Sequence, residues 1–329
     1  MLRVLYVLAV LLALVSCTTP PSPPTTTTPT TTTSQPPALR GWDLTATNTG
    51  LAPHGLTCAT LPAYDGPAKP ARGARIHDVS ITVPLDLTAG DIVIEKSCIQ
   101  PTQTGDHNFY LVTTAVCGPD ECTTPDAAGG VVIRDSEISG AAMPASAISR
   151  SCAFDGAATL QRNLIHGMGS GICFRATGTT HSAVAERNYV YGLRHHVEPD
   201  GAHHSAVTVR DFRPADGRSV RFLNNRLDAT IGSHVTAALF IQPTYAGYPI
   251  VALRAEGNLF EGETYNLVLE QSNGDYSDVH AVSNRFAPAD SAYGPTSRTG
   301  GAGWTTWQEN RLHTTSERHG AEGKLIPAP

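Results

Sequence analysis

The densest group of chemically versatile side chains lies in one segment, residues 191–204, which holds four of the thirteen histidines. Its polar members are His195, His196, His203 and His204, beside Arg194, Glu198 and Asp200. Histidine titrates near neutral pH, paired carboxylates perform acid and base steps, and arginine neutralises developing negative charge. The segment therefore predicts a loop that binds or transforms a ligand.

Two catalytic chemistries fit this loop. In a uronate lyase, a histidine removes the proton beside a carboxylate while Arg194 or Arg210 neutralises the enolate. In a glycoside hydrolase, Asp200 and a second carboxylate, from Asp211 or Glu270, act as acid and base. We predict Asp200, His203, His196 and Arg210 as catalytic residues.

Three non-catalytic interpretations remain beside these. The loop could bind a glycan without turnover, it could be a structural surface loop, or its histidines and Asp200 could bind a metal. Adjacent residues on an extended strand point to opposite sides, which argues against metal binding by His203 and His204 together. We predict no metal site and no cofactor, and the sequence leaves the use of Ca²⁺ open.

A recurring phrase runs through the chain: an alternating apolar strand, a polar residue, then Asn or Ser, then an apolar pair. Eight copies occur, separated by 25 to 39 residues. Their anchors are Ser97, Ser136, Asn163, Asn188, Asn225, Asn258, Asn284 and Asn310. A period in the twenties, with period-2 strands and no helical stripe, is typical of an all-β solenoid whose coils stack on one another.

The repeated Asn has a physical explanation in such a solenoid. At a corner of each coil, an inward amide can donate and accept hydrogen bonds between successive coils. Leucine-rich repeats also carry a periodic Asn, but their Leu-rich consensus and convex helices are missing here.

This pattern resembles the right-handed parallel β-helix of the pectate-lyase-like superfamily, as found in secreted bacterial proteins. The resemblance covers about residues 42–315 and includes the phrases Asn48-Thr49-Gly50-Leu51 and Asn284-Arg285-Phe286. Related proteins often have His-x-Asp-Gly-x-Gln where this chain has Glu198-Pro199-Asp200-Gly201-Ala202-His203, so the Asp-Gly core agrees and the ends differ. The resemblance implies a right-handed parallel β-helix of about 8–10 coils. It implies no single chemistry, because the superfamily contains lyases, hydrolases and esterases.

A second strand in each coil predicts a binding face. In Ile172-Cys173-Phe174-Arg175 and three similar segments, the first and third residues point inward and the fourth points outward. We expect one outward column spaced by about 4.8 Å. Its members are Arg175, Arg210, Gln242 and Glu270. We predict these residues, with Arg194 and His204, to bind substrate, although a merely solvated polar face fits the pattern equally well.

The N-terminal segment of the chain predicts export. Met1 to Ser16 contain one positive charge and an apolar run, typical of a signal peptide, and Leu14-Val15-Ser16-Cys17 resembles the bacterial lipobox, which implies lipidation of Cys17. Residues 17–38 form a Thr/Pro-rich stalk, too polar to fold, and residues 39–329 form the β-helix domain. We expect a monomer anchored by its lipid on the outer face of the bacterial cell membrane.

Six further cysteines can form three disulfides in an oxidising compartment. Pairing neighbours in order gives Cys58–Cys98, Cys117–Cys122 and Cys152–Cys173, although the sequence leaves the connectivity open. The formal net charge of -6 excludes a generic nucleic-acid binder, because phosphate recognition needs a basic surface. The expected function is therefore a surface-anchored polysaccharide lyase or glycoside hydrolase. The alternative is a non-catalytic glycan-binding or cell-envelope structural protein.

Overall fold

The fold is a right-handed parallel β-helix of nine stacked coils, as the sequence predicts. The computed structural model describes residues 39–105, 110–117, 122–175, 181–196, 204–211, 218–231, 235–244, 249–288, 294–313 and 323–329. Residues 38–329 form one compact unit. Each coil contributes one strand to each of up to three long parallel sheets, which enclose the core.

The first two sheets each have nine strands. The first contains β1 (Arg75–His77), β4 (Val93–Glu95), β9 (Val132–Arg134), β12 (Thr159–Gln161), β15 (Ala183–Glu186), β18 (Val220–Leu223), β21 (Ile250–Glu256), β24 (Tyr276–Val282) and β27 (Thr306–Gln308). The second contains β2 (Ser80–Ile81), β5 (Cys98–Ile99), β10 (Glu137–Ser139), β13 (Leu164–His166), β16 (Tyr189–Tyr191), β19 (Arg226–Ala229), β22 (Leu259–Gly262), β25 (Arg285–Phe286) and β28 (Arg311–Leu312).

The third sheet has eight strands. They are β3 (Leu85–Asp86), β6 (Tyr110–Thr113), β11 (Cys152–Gly156), β14 (Ser170–Arg175), β17 (His204–Asp211), β20 (Val235–Ile241), β23 (Tyr265–Glu270) and β26 (Thr296–Thr299). A separate antiparallel hairpin joins β7 (Val116–Cys117) to β8 (Cys122–Thr123). The described helices are four single 3-10 turns and one short α-helix: Gly41–Asp43, Ala52–His54, Cys58–Thr60, Asp126–Ala128 and α1 (Ala145–Ile148). No helix among the described residues has the length and apolar character to cross a membrane.

A left-handed residue followed by the repeat anchor makes the turn between the first and second sheets. The left-handed residues have φ between 47° and 67° and are Lys96, Asp135, Arg162, Arg187, Asn224, Gly257, Ser283 and Glu309. Such a φ is uncommon outside glycine, so its recurrence at seven non-glycine residues indicates that the stacked turns impose it. The anchor that follows is therefore directed into the interior at every coil.

The six asparagine anchors form a continuous hydrogen-bonded ladder, as the sequence predicts. Asn188, for example, donates from Nδ2 to the Leu160 carbonyl at 2.9 Å and to Asn225 Oδ1 at 3.0 Å. Its own Oδ1 accepts from the backbone N–H and the Nδ2 of Asn163. The same pattern continues to Asn310, and all the anchors are buried. The four amides inside the ladder thereby each donate two and accept two hydrogen bonds in the interior, where an unmet polar group is costly.

The N-terminal part of the unit runs along the outside of the second sheet. The Gly41 N–H donates to the Gly257 carbonyl at 2.9 Å, and the Gly50 N–H donates to the Arg162 carbonyl at 2.8 Å. A Cβ on Gly41 would lie 2.2 Å from the Asn225 carbonyl oxygen, so only glycine permits this approach. We call residues 39–60 the strap. The strap contacts the second sheet and its turn, whereas the predicted binding face lies on the third sheet.

Candidate functional site

The third sheet alternates as the sequence predicts, with its apolar side facing the core. The predicted inward residues are all part of the main hydrophobic cluster: Ile172, Phe174, Val207, Val209, Leu239, Ile241, Leu267 and Leu269. The register pairs Val209 with Ile241 and Ile241 with Leu269. Residues between and after these positions therefore form the outward side of the sheet, which we call the third-sheet face.

Three of the four predicted column residues are joined directly on this face. Arg210 donates from its guanidinium to Gln242 Oε1 at 3.1 Å, and Gln242 Nε2 donates to Glu270 Oε1 at 2.9 Å. The amide of Gln242 thus links a cation to an anion across three successive coils. We call Arg210, Gln242 and Glu270 the polar ladder, to distinguish them from the asparagine anchors in the interior. The polar ladder has a donor-rich end and an acceptor-rich end, which suits a ligand with several hydroxyl or carboxylate groups.

Arg175 departs from the expected column. The register shifts between Phe174 and Arg175, so that Arg175 pairs with Asp211 instead of Arg210. Its Nε donates to Asp155 Oδ1, one coil earlier, at 2.6 Å. The prediction assumed uninterrupted pairing, and a bulge of this kind displaces the residue that follows it.

Apolar side chains lie beside the ladder and were not singled out from the sequence. Ala237, Phe240 and Val268 form a second buried cluster, against which Tyr265 packs. The Arg210 guanidinium carbon lies 5.8 Å from the centre of the Phe240 ring. The signal available in the sequence was the aromatic residue at the outward second position of Leu239-Phe240-Ile241-Gln242. An aromatic ring beside a polar ladder is a combination that fits the apolar and polar edges of a sugar.

Two predicted substrate-binding residues have backbone carbonyl partners. His204 begins β17 fully buried, and its Nδ1 lies 2.8 Å from the Gly169 carbonyl oxygen. Arg194 donates to the Met143 carbonyl at 2.7 Å and to the Gly140 carbonyl at 3.4 Å. The His204 ring therefore has no surface for direct substrate contact, and the Arg194 guanidinium anchors its segment to an earlier coil.

The remaining predicted catalytic residues divide into one that is described and two that are not. His196 is exposed, at the end of a described stretch. Asp200 and His203 lie outside the described residues, as do Cys17 and the side chain of Asp211. Their catalytic, lipid-anchoring and hydrolytic roles stay predictions.

The six cysteines of the domain form the three disulfides that pairing in order gives: Cys58–Cys98, Cys117–Cys122 and Cys152–Cys173. Among the described residues, one group of three possible metal ligands is close enough to share an ion: Cys117, Cys122 and Asp155, whose ligand atoms lie within 4.8 Å of one another. Both sulfurs of this group belong to a disulfide, so the oxidised protein offers no thiolate there.

A second polar and aromatic cluster lies on the outside of the second sheet and was not predicted from the sequence. The Tyr189 and Tyr191 rings stack at 4.8 Å, and the Arg226 guanidinium lies 4.8 Å from the Tyr189 ring centre. Burial raises the pKa of Tyr189 to about 12, although the charge of Arg226 opposes this. Because Arg226 also pairs with Glu261 and donates to the Leu44 carbonyl, this cluster fastens the strap.

Comparison with family models, with curated proteins and with solved structures finds no match to this chain. The structure itself establishes a parallel β-helix with an outward polar ladder on its third sheet.

Proposed function

We propose that this protein is an exported, lipid-anchored, polysaccharide-active β-helix protein of the pectate-lyase-like superfamily, and that it binds an extended glycan along the third-sheet face. The observation that carries the proposal is the hydrogen-bonded row Arg210–Gln242–Glu270 beside the Phe240 cluster. Successive strands repeat every 4.8 Å or so, and the row therefore offers contacts to successive parts of a chain-like ligand.

Catalysis would arise where this face meets the loop that contains Asp200 and His203. In a lyase, His196 or His203 removes the proton and Arg210 neutralises the enolate. In a hydrolase, Asp200 works with Glu270 or Asp211. The membrane partner would be reached through a lipid on Cys17, with the stalk as spacer.

A second candidate function is glycan binding without turnover. One feature favours it: Gln242 uses both ends of its amide within the ladder, which is an arrangement built for rigidity. A rigid row of this kind orients a ligand without supplying a proton-transfer group.

The first experiment measures turnover. The domain from Leu39 onward is incubated with a panel of uronate and neutral polysaccharides, while the ultraviolet absorbance of unsaturated ends and the release of reducing sugar are followed. Absorbance identifies a lyase, and reducing sugar without absorbance identifies a hydrolase. Asp200→Asn and His203→Ala should abolish the activity with an unchanged circular dichroism spectrum. Retained binding with no product on any glycan would establish the second candidate instead.

The second experiment tests the face. Arg210→Gln should weaken glycan binding by about tenfold or more, because a hydrogen bond to a charged group contributes about 1.5–3 kcal/mol. Arg254→Gln is a matched control, because the Arg254 guanidinium likewise donates to a neighbouring side chain, the carboxylate of Glu256, on the outside of a different sheet. Equal binding by both variants and the parent would remove the third-sheet face from the proposal.

A further inference from the structure

The Cys117–Cys122 hairpin covers a buried carboxylate. Asp155 lies on β11, is 1% exposed, and is in register with Cys173 on the outward side of the third sheet. Its Oδ1 accepts the hydrogen bond from Arg175, whereas its Oδ2 is buried and accepts none from any residue that the structure describes. The two sulfurs of the hairpin lie within 4.8 Å of this carboxylate. A buried acid with a spare oxygen therefore adjoins a disulfide.

The three disulfides differ in their surroundings. Cys98, Cys152 and Cys173 are buried, so the other two bridges each have at least one enclosed sulfur. Both sulfur-bearing residues of the hairpin are half-buried, and Val116 beside them is 54% exposed. Because both residues of this bridge are partly exposed, it is the bridge that an external thiol reaches most directly.

A small cavity adjoins one of the two cysteines. It has a volume of about 220 Å³, and Cys117 forms part of its wall while Cys122 does not. Lys69 and Asp86 form an ion pair at 2.9 Å across the same cavity wall. An incoming group that enters the cavity consequently meets Cys117 and not Cys122.

We propose that Cys117–Cys122 is a thiol–disulfide exchange site, at which a dithiol attacks Cys117 Sγ and Asp155 protonates the departing sulfur of Cys122. The first thiolate forms a mixed disulfide with Cys117 and breaks the bond to Cys122. The second thiol of the reductant then loses its proton and attacks the reductant's first sulfur in the mixed disulfide, which breaks the bond to Cys117. The released Cys117 thiolate takes up a proton, and Asp155 regains its own proton from solvent. Two electrons and two protons pass from the dithiol to the protein, and the reductant leaves as a disulfide.

The state of Asp155 suits this role. Burial raises the pKa of its carboxyl above the ordinary value, and the charge and hydrogen bond of Arg175 offset only part of that effect. Arg175 is the charged group whose field acts on Asp155, and the two cysteines are the titratable groups beside it once they are reduced. A protonated carboxyl can donate to a leaving thiolate, whereas an ionised one disfavours negative charge on sulfur.

The test uses the full chain in buffers with a metal chelator. Thiols present before reduction, such as that of Cys17 in protein without the lipid, are first blocked with N-ethylmaleimide. Dithiothreitol is then added, and newly formed thiols are trapped with a second alkylating agent and located by peptide mass spectrometry. Cys117–Cys122 should open at least about tenfold faster than Cys58–Cys98 in the same sample. The ratio of the two rates should fall as the pH rises, because the Asp155 proton is lost. The ratio cancels the titration of dithiothreitol itself.

Asp155→Asn keeps the size of the side chain and removes the acid. It should slow opening of this bridge on the order of a hundredfold at low pH and flatten the pH dependence of the ratio, leaving the other two bridges unchanged. A fast bridge with the same pH dependence in the variant would overturn the proposal, because exposure alone would then explain the rate. If the variant fails to fold, the pH dependence of the wild-type ratio decides: a constant or rising ratio overturns the proposal.

Discussion

Serine occupies the inward anchor position in coils two and three, whereas asparagine occupies it in coils four to nine. The Ser136 hydroxyl donates to the Arg134 carbonyl of its own coil and accepts from the Ser97 N–H of the preceding one. Asn225 instead donates to the Ala185 carbonyl before it and to Asn258 after it. An asparagine side chain therefore joins both neighbouring coils, and a serine side chain joins only one.

The serine coils contain the covalent cross-links. Cys98 follows directly after Ser97 and binds Cys58 of the strap, and Cys152–Cys173 joins coils three and four. All six paired cysteines precede residue 174. Of the three bridges, Cys152–Cys173 joins two consecutive coils, Cys58–Cys98 joins the strap to coil two, and Cys117–Cys122 closes a hairpin. The covalent cross-links therefore lie where serine is the anchor or where the asparagine anchors begin, and amides alone link the later coils. We call coils two and three the stapled region and coils four to nine the ladder region.

The largest expected effect on the free energy of unfolding comes from removing a disulfide. Replacing Cys58 and Cys98 with Ala should lower the free energy of unfolding by about 4 kcal/mol, because the bridge spans 40 residues and its loss frees a long loop in the unfolded chain. Cys117→Ala with Cys122→Ala, which opens a span of 5, should cost about 2 kcal/mol. Urea titration followed by circular dichroism measures both, and equal losses would contradict the argument from loop length.

The next effect tests the ladder region. Asn225→Ala should lower the free energy of unfolding by about 3 kcal/mol, because it leaves the Ala185 carbonyl and the donors of Asn188 buried without partners. Asn273→Ala is the matched control, since Asn273 also donates to a backbone carbonyl of another coil, that of Thr244, but is exposed. The control should change stability by less than about 0.5 kcal/mol.

The serine ladder should be less sensitive. Ser136→Ala removes the acceptor of the buried Ser97 N–H and should cost about 1 kcal/mol in the same urea titration. A cost as large as that of Asn225→Ala would show that the two regions stack with equal strength, and the disulfides would then need another explanation.

The repeat anchors could be predicted because they recur in identical chemical settings. Asn163 and its five successors each stand two residues before an apolar residue, at spacings that fit a stacked coil. Arg210, Gln242 and Glu270 could be placed together for a similar reason: their strands alternate without interruption, and register then fixes which side chains meet.

Arg175 and Asp155 could not be predicted in this way. The bulge beside Arg175 leaves no signature in the alternation of the sequence. The alternation places Asp155 on the outward side of its strand, and its burial depends on the hairpin at Cys117, which comes from a distant part of the chain. The position of the strap could not be predicted either, because the contact of Gly41 with Gly257 joins residues far apart in the chain. Local patterns predict the coils, whereas the segments that fold over them depend on long-range contacts.

The smallest expected effect concerns acid stability in the stapled region. Asp135 precedes Ser136, and although its burial favours a higher value, the hydrogen bonds and charge of Arg162 lower the pKa of the carboxyl below its ordinary 3.8. A lowered folded-state pKa contributes stability above pH 3.8 that is lost as the pH falls through the folded value. Asp135→Asn should therefore show a shallower fall in melting temperature below about pH 4 than the parent. At the equivalent turn of coil eight the ladder region has the uncharged Ser283, so that turn makes no such contribution. Identical acid dependence in variant and parent would mean that the Asp135–Arg162 pair adds nothing to what the disulfides already secure.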